Sequence, residues 1–133
     1  MCPVLIVEDN TIFRDTLKGM LATLFPSIAV EEASNAEEAL SEFRRINPCL
    51  IFMDIRLPDK NGLEITRSIK ETNPETEIII LTSYDIPEYR EAAFRSGANH
   101  FLTKGNVKID DITFLVASAL KADEKRRIGF PIS

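Results

Sequence analysis

The stretch 50–62, "LIFMDIRLPDKNG", places an acidic residue where a hydrophobic strand ends. The apolar run Leu50 to Met53 leads directly into Asp54, and a turn rich in Pro, Asp, Asn and Gly follows. Runs as uniformly apolar as this one are typical of strands buried on both faces of a parallel sheet. A charge at the end of such a strand indicates a functional site if other charged groups reach the same edge of the sheet.

Apolar runs of strand length recur along the chain, and helical periodicity fills the stretches between them. The predicted strands are 3–7, 28–33, 49–53, 77–82 and 100–103, and the predicted helices are 11–25, 35–46, 62–72, 87–96 and 107–121. Pro87 occupies a position favoured at helix starts, and Gly97 one favoured just after helix ends. This βα alternation predicts an α/β fold, a doubly wound five-stranded parallel sheet with helices on both faces.

Length and charge restrict the class of protein. The 133 residues suggest one domain, which we place at 1–121, followed by a tail at 122–133 that we expect to be a helix end and a linker. The net charge of −5 argues against a nucleic-acid surface on this chain. The sequence has no long apolar run and no signal-peptide pattern at its start, which predicts a cytoplasmic protein without a membrane span.

The two cysteines, Cys2 and Cys49, show no metal-binding spacing. Disulfides are rare in the cytoplasm, where thiols are kept reduced. We therefore expect two reduced thiols.

Functional side chains follow several of the predicted strands at their carboxyl ends. They are Glu8 and Asp9 after the first strand, Asp54 after the third, Thr82 at the end of the fourth and Lys104 after the fifth. In a parallel sheet these ends point the same way, and ligands of doubly wound sheets bind at that edge. We expect three carboxylates, a hydroxyl and an ammonium in one small site.

Such a carboxylate cluster requires a cation or a proton. One like-charge pair at ~4 Å costs roughly 4 kcal/mol at an effective dielectric constant of about 20. The candidate ligands are all oxygens, which favours a hard ion, Mg²⁺ or Mn²⁺. Mg²⁺ usually binds one or two carboxylates together with a phosphate, and Asp54 could itself accept a phosphoryl group. Lys104 and Thr82 would then contact the phosphoryl oxygens.

With these residues at these positions, the sequence resembles the receiver domain of two-component response regulators over about residues 3–121. The motifs that carry the resemblance are "VLIVEDN", "MDIRLPDKNGLE", "LTSYD" and "SGANHFLTKG", in family order and at family spacing. The last two motifs look most like receivers attached to DNA-binding domains of the NarL/LuxR type. Two positions depart from the family pattern: Glu8 replaces the commoner Asp, and Gly105 follows the lysine where many receivers have Pro.

The resemblance implies a flavodoxin-like fold with strand order 2-1-3-4-5 and a set of residue roles. The implied site roles are Asp54 as phosphoacceptor, Lys104 as phosphate contact, and Asp9 (direct), Glu8 (through water) and Arg56 (backbone carbonyl) as Mg²⁺ ligands. The implied regulatory roles are Thr82 and Phe101 as the switch pair, and Arg56 and Tyr84 as residues that limit access of water. Phe101 is expected to rotate inward after phosphorylation.

The function implied is a phosphoacceptor switch rather than an enzyme with an external substrate. A sensor histidine kinase would donate the phosphoryl group. The surface of the fourth helix, fifth strand and fifth helix would then control homodimerisation or an output domain, through which alone DNA would be contacted.

Two alternatives stay open from the sequence. A Mg²⁺-dependent phosphohydrolase of the haloacid dehalogenase type also uses a strand-end Asp, but it normally has a second Asp two residues on, where this chain has Arg56. A receiver-like module that binds partners without phosphorylation is disfavoured by the intact acidic set.

Overall fold

The computed structural model describes residues 2–128, in which strands and helices alternate along the chain. The strands are β1 (Val4–Val7), β2 (Val30–Ala33), β3 (Leu50–Met53), β4 (Glu77–Thr82) and β5 (His100–Thr103). The α-helices are α1 (Thr11–Leu24), α2 (Ala36–Ile46), α3 (Gly62–Thr72), α4 (Pro87–Arg95) and α5 (Ile109–Arg127). All neighbouring strands are parallel, in the order β2-β1-β3-β4-β5. The predicted flavodoxin-like fold and strand order are therefore confirmed.

The register of the sheet brings the strand ends together. Val7 of β1 pairs with Met53 of β3, so the residues that follow them leave the sheet side by side. At the same end of the sheet, Thr82 of β4 pairs with Thr103 of β5. Lys104, which follows Thr103, therefore leaves β5 beside the end of β4. Because β1 and β3 are wholly buried inside the sheet, the groups at their ends are anchored to the core of the domain.

Alternate residues of each central strand face two separate hydrophobic layers. Leu5, Ile51 and Ile78 belong to the layer covered by α2, α3 and α4. Their sequence neighbours, such as Ile6 and Phe52, belong to the layer covered by α1 and α5. This double burial explains why the strand sequences are continuously apolar instead of alternating.

The loop between β3 and α3 is fixed by hydrogen bonds from both of its neighbours. The Asp59 carboxylate accepts hydrogen bonds from the backbone amides of Ala36 (2.8 Å) and Glu37 (3.0 Å), at the start of α2. These amide hydrogen bonds, that of Ala36 first, hold the pKa of Asp59 below its usual range. The backbone amide of Gly62 donates to the Ile55 carbonyl (2.7 Å) at the other end of the loop. The loop that follows the strand carrying Asp54 is therefore tied to two helices.

The last helix differs from its predicted bounds. It runs from Ile109 to Arg127 instead of 107–121, and a short 3₁₀ turn, Lys104–Asn106, precedes it. Arg126 pairs with Glu75 (3.4 Å) and Asp123 (3.8 Å), which holds the added turns against the domain. Even this helix, the longest in residues 2–128, lacks the length of apolar sequence needed to cross a membrane, and so do the others there. Residues 129–133, which carry the predicted linker, lie outside the described residues.

The prediction of two separate reduced thiols is wrong for this structure. Cys2 and Cys49 form a disulfide, with their Cα atoms 5.3 Å apart. The backbone amide of Cys49 donates to the Pro3 carbonyl (3.0 Å), because β1 and β3 are neighbours and the cysteines precede them. Spacing along the chain does not reveal this proximity.

We predict that Gly62→Ala destabilises the fold by roughly 1–3 kcal/mol, as overpacking does in well-packed sites. A Cβ atom at this position would lie 1.9 Å from the Asp54 carbonyl oxygen, which is backbone and cannot move aside cheaply. The matched control is Gly19→Ala in α1, where a Cβ atom meets nothing within 4 Å. That control should stabilise by about 0.5–1 kcal/mol, since Ala favours helix. Urea unfolding measures the change in the free energy of unfolding for each variant. Equal changes in the two variants would contradict the steric explanation.

Candidate functional site

Three carboxylates converge where β1 and β3 end. Glu8 and Asp9 follow β1, Asp54 follows β3, and one oxygen of each lies within 4.8 Å of the other two. Glu8 and Asp54 are buried, with 3% and 7% of their surfaces exposed, whereas Asp9 faces solvent. The structure therefore brings together the three acidic residues that the sequence predicts.

Lys104 supplies the counter-charge for the two buried acids. Its Nζ lies 2.5 Å from Glu8 Oε1 and 3.1 Å from Asp54 Oδ2. Burial alone would lower the pKa of Lys104, but the hydrogen bond to Glu8 and the charge of Asp54 outweigh it, and the pKa is raised. Burial raises the pKa of the Glu8 carboxyl, and the Lys104 ammonium opposes that rise. The ammonium also lies 4.8 Å from the centre of the Phe13 ring, a cation–π contact.

Backbone groups fix the orientation of both buried carboxylates. Asp54 Oδ1 accepts a hydrogen bond from the Ile55 amide (2.8 Å). Glu8 Oε2 accepts one from the Asn10 amide (3.0 Å), and Arg14 donates to the Glu8 carbonyl oxygen (2.8 Å). Each acid thus has one oxygen held by the backbone and one directed to the lysine.

The hydroxyl predicted as a switch residue lies at the adjacent strand end. Thr82 is fully buried, and its Oγ1 accepts a hydrogen bond from the Tyr84 amide (3.4 Å). Phe101 is also buried, with 6% of its surface exposed, among the residues beneath α4. The Arg90 guanidinium lies over its ring, 4.6 Å from the centroid. The ring is thus already buried in this structure, and its expected rotation after phosphorylation stays a prediction.

An arginine and two tyrosines form a cluster where the loops after β3 and β4 meet α4. The Arg56 guanidinium lies 4.0 Å from the centre of the Tyr84 ring and donates to the Tyr89 hydroxyl (3.2 Å). The two tyrosine rings meet edge to face with their centroids 6.2 Å apart. This cluster joins the loop after β3 to the start of α4. The family resemblance implies shielding roles for Arg56 and Tyr84, whereas no such role was predicted for Tyr89.

Several contacts of the site lack a signal in the sequence. Phe13 reads as one member of an apolar helical stripe, and Arg90 as an ordinary exposed charge. Their contacts with Lys104 and Phe101 depend on the packing of helices against the sheet. The role of the Arg56 backbone carbonyl as a metal ligand stays a prediction.

The donor set fits a hard divalent cation. All three ligating groups are carboxylates, and together they carry two more negative charges than Lys104 neutralises. Mg²⁺ and Mn²⁺ favour such oxygen ligands, and the exposed Asp9 leaves one side open to water and a phosphate.

Comparisons with known proteins agree with this geometry. The sequence profile of the response regulator receiver domain matches residues 4–116. The response regulator GacA of Pseudomonas protegens is 30% identical over 105 residues, covering 79% of this chain and 49% of that protein. The chain thus spans about half the length of the curated relatives that it matches.

Solved structures extend the likeness to the whole fold. A CheY-like response regulator receiver domain protein from Methanospirillum hungatei has a TM-score of 0.83 and 29% identity, and covers 97% of this chain and 99% of that one. A LuxR-family two-component response regulator from an Aurantimonas species has a TM-score of 0.80 and 27% identity, and covers 91% of this chain and 86% of that one.

We predict that Lys104→Met destabilises the protein by about 2–4 kcal/mol near neutral pH, because it leaves two buried carboxylates without a counter-charge. Without the ammonium, the pKa of Glu8, already raised by burial, rises further. The folded variant then binds more protons than the unfolded chain, so its stability deficit shrinks as the pH is lowered below neutral. Denaturation across this range measures the effect. The control is Lys60→Met, at an exposed site in the loop after β3, which should change neither the free energy of unfolding nor its pH dependence. A stability loss in Lys104→Met that does not vary with pH would contradict the charge explanation.

Proposed function

The chain belongs to the response regulator receiver domain family, and from this we propose that it is a Mg²⁺-dependent phosphoacceptor switch with Asp54 as the acceptor. The observation that carries the proposal is the position of Asp54. Its carboxylate lies among Glu8, Asp9 and Lys104, with the Thr82 hydroxyl at the neighbouring strand end. A nucleophile, a cation site and a phosphate contact are thereby combined in one site.

In the proposed transfer, a carboxylate oxygen of Asp54 attacks the phosphorus of a phosphohistidine on a sensor kinase. The P–N bond breaks, the imidazole leaves, and an acyl phosphate forms. Glu8, Asp9, Asp54 and the Arg56 carbonyl would hold Mg²⁺, which supplies positive charge to the phosphoryl oxygens when bound. Lys104 lies 3.1 Å from Asp54 and is well placed to follow the new phosphoryl group.

The proposed signal leaves through the strand end that carries Thr82. A phosphoryl oxygen on Asp54 would attract the Thr82 hydroxyl away from the Tyr84 amide. Phe101 packs under α4, and the Arg90 guanidinium lies over its ring. A shift of Thr82 would therefore change the packing around this ring and, with it, the surface formed by α4, β5 and α5. We propose that this surface controls homodimerisation or an output domain.

The proposed partners follow from the family. A sensor histidine kinase donates the phosphoryl group in the cytoplasm, and DNA is contacted only through an output domain. The protein itself turns over no external substrate and catalyses only its own phosphorylation and dephosphorylation. The dehalogenase-type alternative is disfavoured because Arg56, whose guanidinium lies over the Tyr84 ring, stands where that chemistry needs a second acid. Binding without phosphorylation is disfavoured because the acids and Lys104 converge as transfer requires.

We predict that acetyl phosphate adds one phosphoryl group to the protein when Mg²⁺ is present. Intact-mass spectrometry should show this product in the wild type, and Asp54→Asn or removal of Mg²⁺ should abolish it. Asp9→Asn should reduce it strongly, since Asp9 is the solvent-facing ligand. The matched control is Asp15→Asn, an exposed acid on α1, which should be labelled as the wild type is. Labelling of Asp54→Asn to the wild-type extent would remove Asp54 from this role.

We predict that the cluster of Arg56, Tyr84 and Tyr89 prolongs the life of the phosphoryl group. Cutting both Arg56 and Tyr84 to Ala removes the stacked pair at the rim of the site and should speed hydrolysis several-fold, because water then reaches the acyl phosphate. The decay of the phosphorylated mass after removal of the donor gives the rate. Lys60→Ala, on the same loop but outside the stack, should decay like the wild type. An unchanged or slower decay in the double variant would show that shielding is not the cause.

A further inference from the structure

The opposite end of the sheet, where the strands begin, holds a pair of cysteine side chains. Cys2 precedes β1 and Cys49 precedes β3, so the sulfurs meet at the amino ends of the two central strands. Their Cα atoms are 5.3 Å apart, within the range that a disulfide requires. Both residues are buried, with 4% and 6% of their surfaces exposed. The receiver chemistry described above uses neither of them.

Access to this pair is one-sided. A cavity of about 490 Å³ opens beside it, and Cys49 forms part of the wall together with Asn47, Thr76 and Arg126. Among the residues that the structure describes, Cys2 is not part of that wall. A small molecule that enters the cavity therefore meets Cys49 first.

The pair also borders the end of α5. A carboxylate oxygen of Asp123 lies within 4.8 Å of both sulfurs. Asp123 pairs with Arg126 (3.8 Å) and Arg127 (4.0 Å), and Arg126 reaches across to Glu75 (3.4 Å). The sulfurs thus lie against the turns of α5 that extend beyond its predicted end.

We propose that Cys2 and Cys49 form a thiol–disulfide exchange site in which Cys49 is the sulfur that reacts with small thiols and small disulfides. In the reducing direction a small thiolate attacks Cys49 Sγ, the S–S bond breaks, and the Cys2 sulfur leaves as a thiolate that takes up a proton. A second small thiolate attacks the outer sulfur of the mixed disulfide, which releases the small disulfide and the Cys49 thiolate. Oxidation is the reverse sequence, with the small disulfide as the oxidant.

The proposal is independent of the phosphoacceptor role, because Asp54 lies at the other end of β3. Only the expected cycling of the pair depends on the cytoplasmic location proposed above. Disulfides formed in that compartment are usually transient, so the pair would alternate there between the disulfide and the two thiols. The bond links positions 47 residues apart in sequence, and its closure should raise the melting temperature by roughly 5–15 °C.

The test compares Cys2→Ser, which keeps only Cys49, with Cys49→Ser, which keeps only Cys2. Both reduced full-length proteins are incubated with oxidised glutathione, and intact-mass spectrometry follows the mixed disulfide. We expect Cys2→Ser to react about tenfold faster or more, because Cys49 lines the cavity through which glutathione would approach and Cys2 does not. In urea the two variants should react at similar rates, which would assign the difference to the fold. The wild type should end as a monomer with one intramolecular disulfide and the higher melting temperature.

A second measurement covers the case in which a serine variant does not fold. The reduced wild type is quenched with acid early in the reaction and digested, and the glutathione adduct should map to Cys49. Acetyl phosphate labelling of Asp54 in the same samples reports separately on the receiver site. Equal rates in the folded variants, or an adduct on Cys2, would overturn the proposal. Stoichiometric Zn²⁺ that blocks both thiols until a chelator is added would also overturn it, and would make Cys2, Cys49 and Asp123 a metal site instead.

Discussion

Two buried carboxylates side by side, those of Glu8 and Asp54, repel each other and require positive charge. The parallel register of β1 and β3 places these two carboxylates side by side, because the last residues of the two strands are paired and the acids that follow them are buried. Lys104 bridges the two acids from the end of β5. The three carboxylates of Glu8, Asp9 and Asp54 carry two more negative charges than the single ammonium neutralises. A divalent cation would balance this excess. The fold and the site thus share one cause, the alignment of strand ends in a parallel sheet.

Most of the fold could be predicted from sequence because the signals were local. Uninterrupted apolar runs identified the strands, helical periodicity identified the helices, and Pro87 and Gly97 bounded α4 as expected. The order of the strands was obtained only through the family resemblance, because periodicity does not tell which strands are neighbours. The site acids and Lys104 were predictable since strand ends of a parallel sheet meet at one edge.

What the sequence did not reveal depends on contacts between distant segments. The turns of α5 beyond residue 121 lie in the charged tail that was expected to be a helix end and a linker. The pairing of Arg126 with Glu75, which holds these turns against the domain, becomes visible only in the fold. Cys2 and Cys49 are separated by a whole βαβ unit and meet because β1 and β3 are neighbours. The buried position of Phe101 depends on how α4 lies across β5, with Arg90 above the ring.

The hydrogen bonds of Asp59 anchor the two sides of the site unequally. On one side of Asp54, the loop after β3 is anchored to the first amides of α2 and packed closely at Gly62. On the other side, the residue before α4, Ile86, gives the helix no side-chain cap. We therefore expect a displacement that starts at the strand ends to meet more resistance on the first side than on the second. On this account, the resting structure would set the direction of displacement before any ligand or partner arrives.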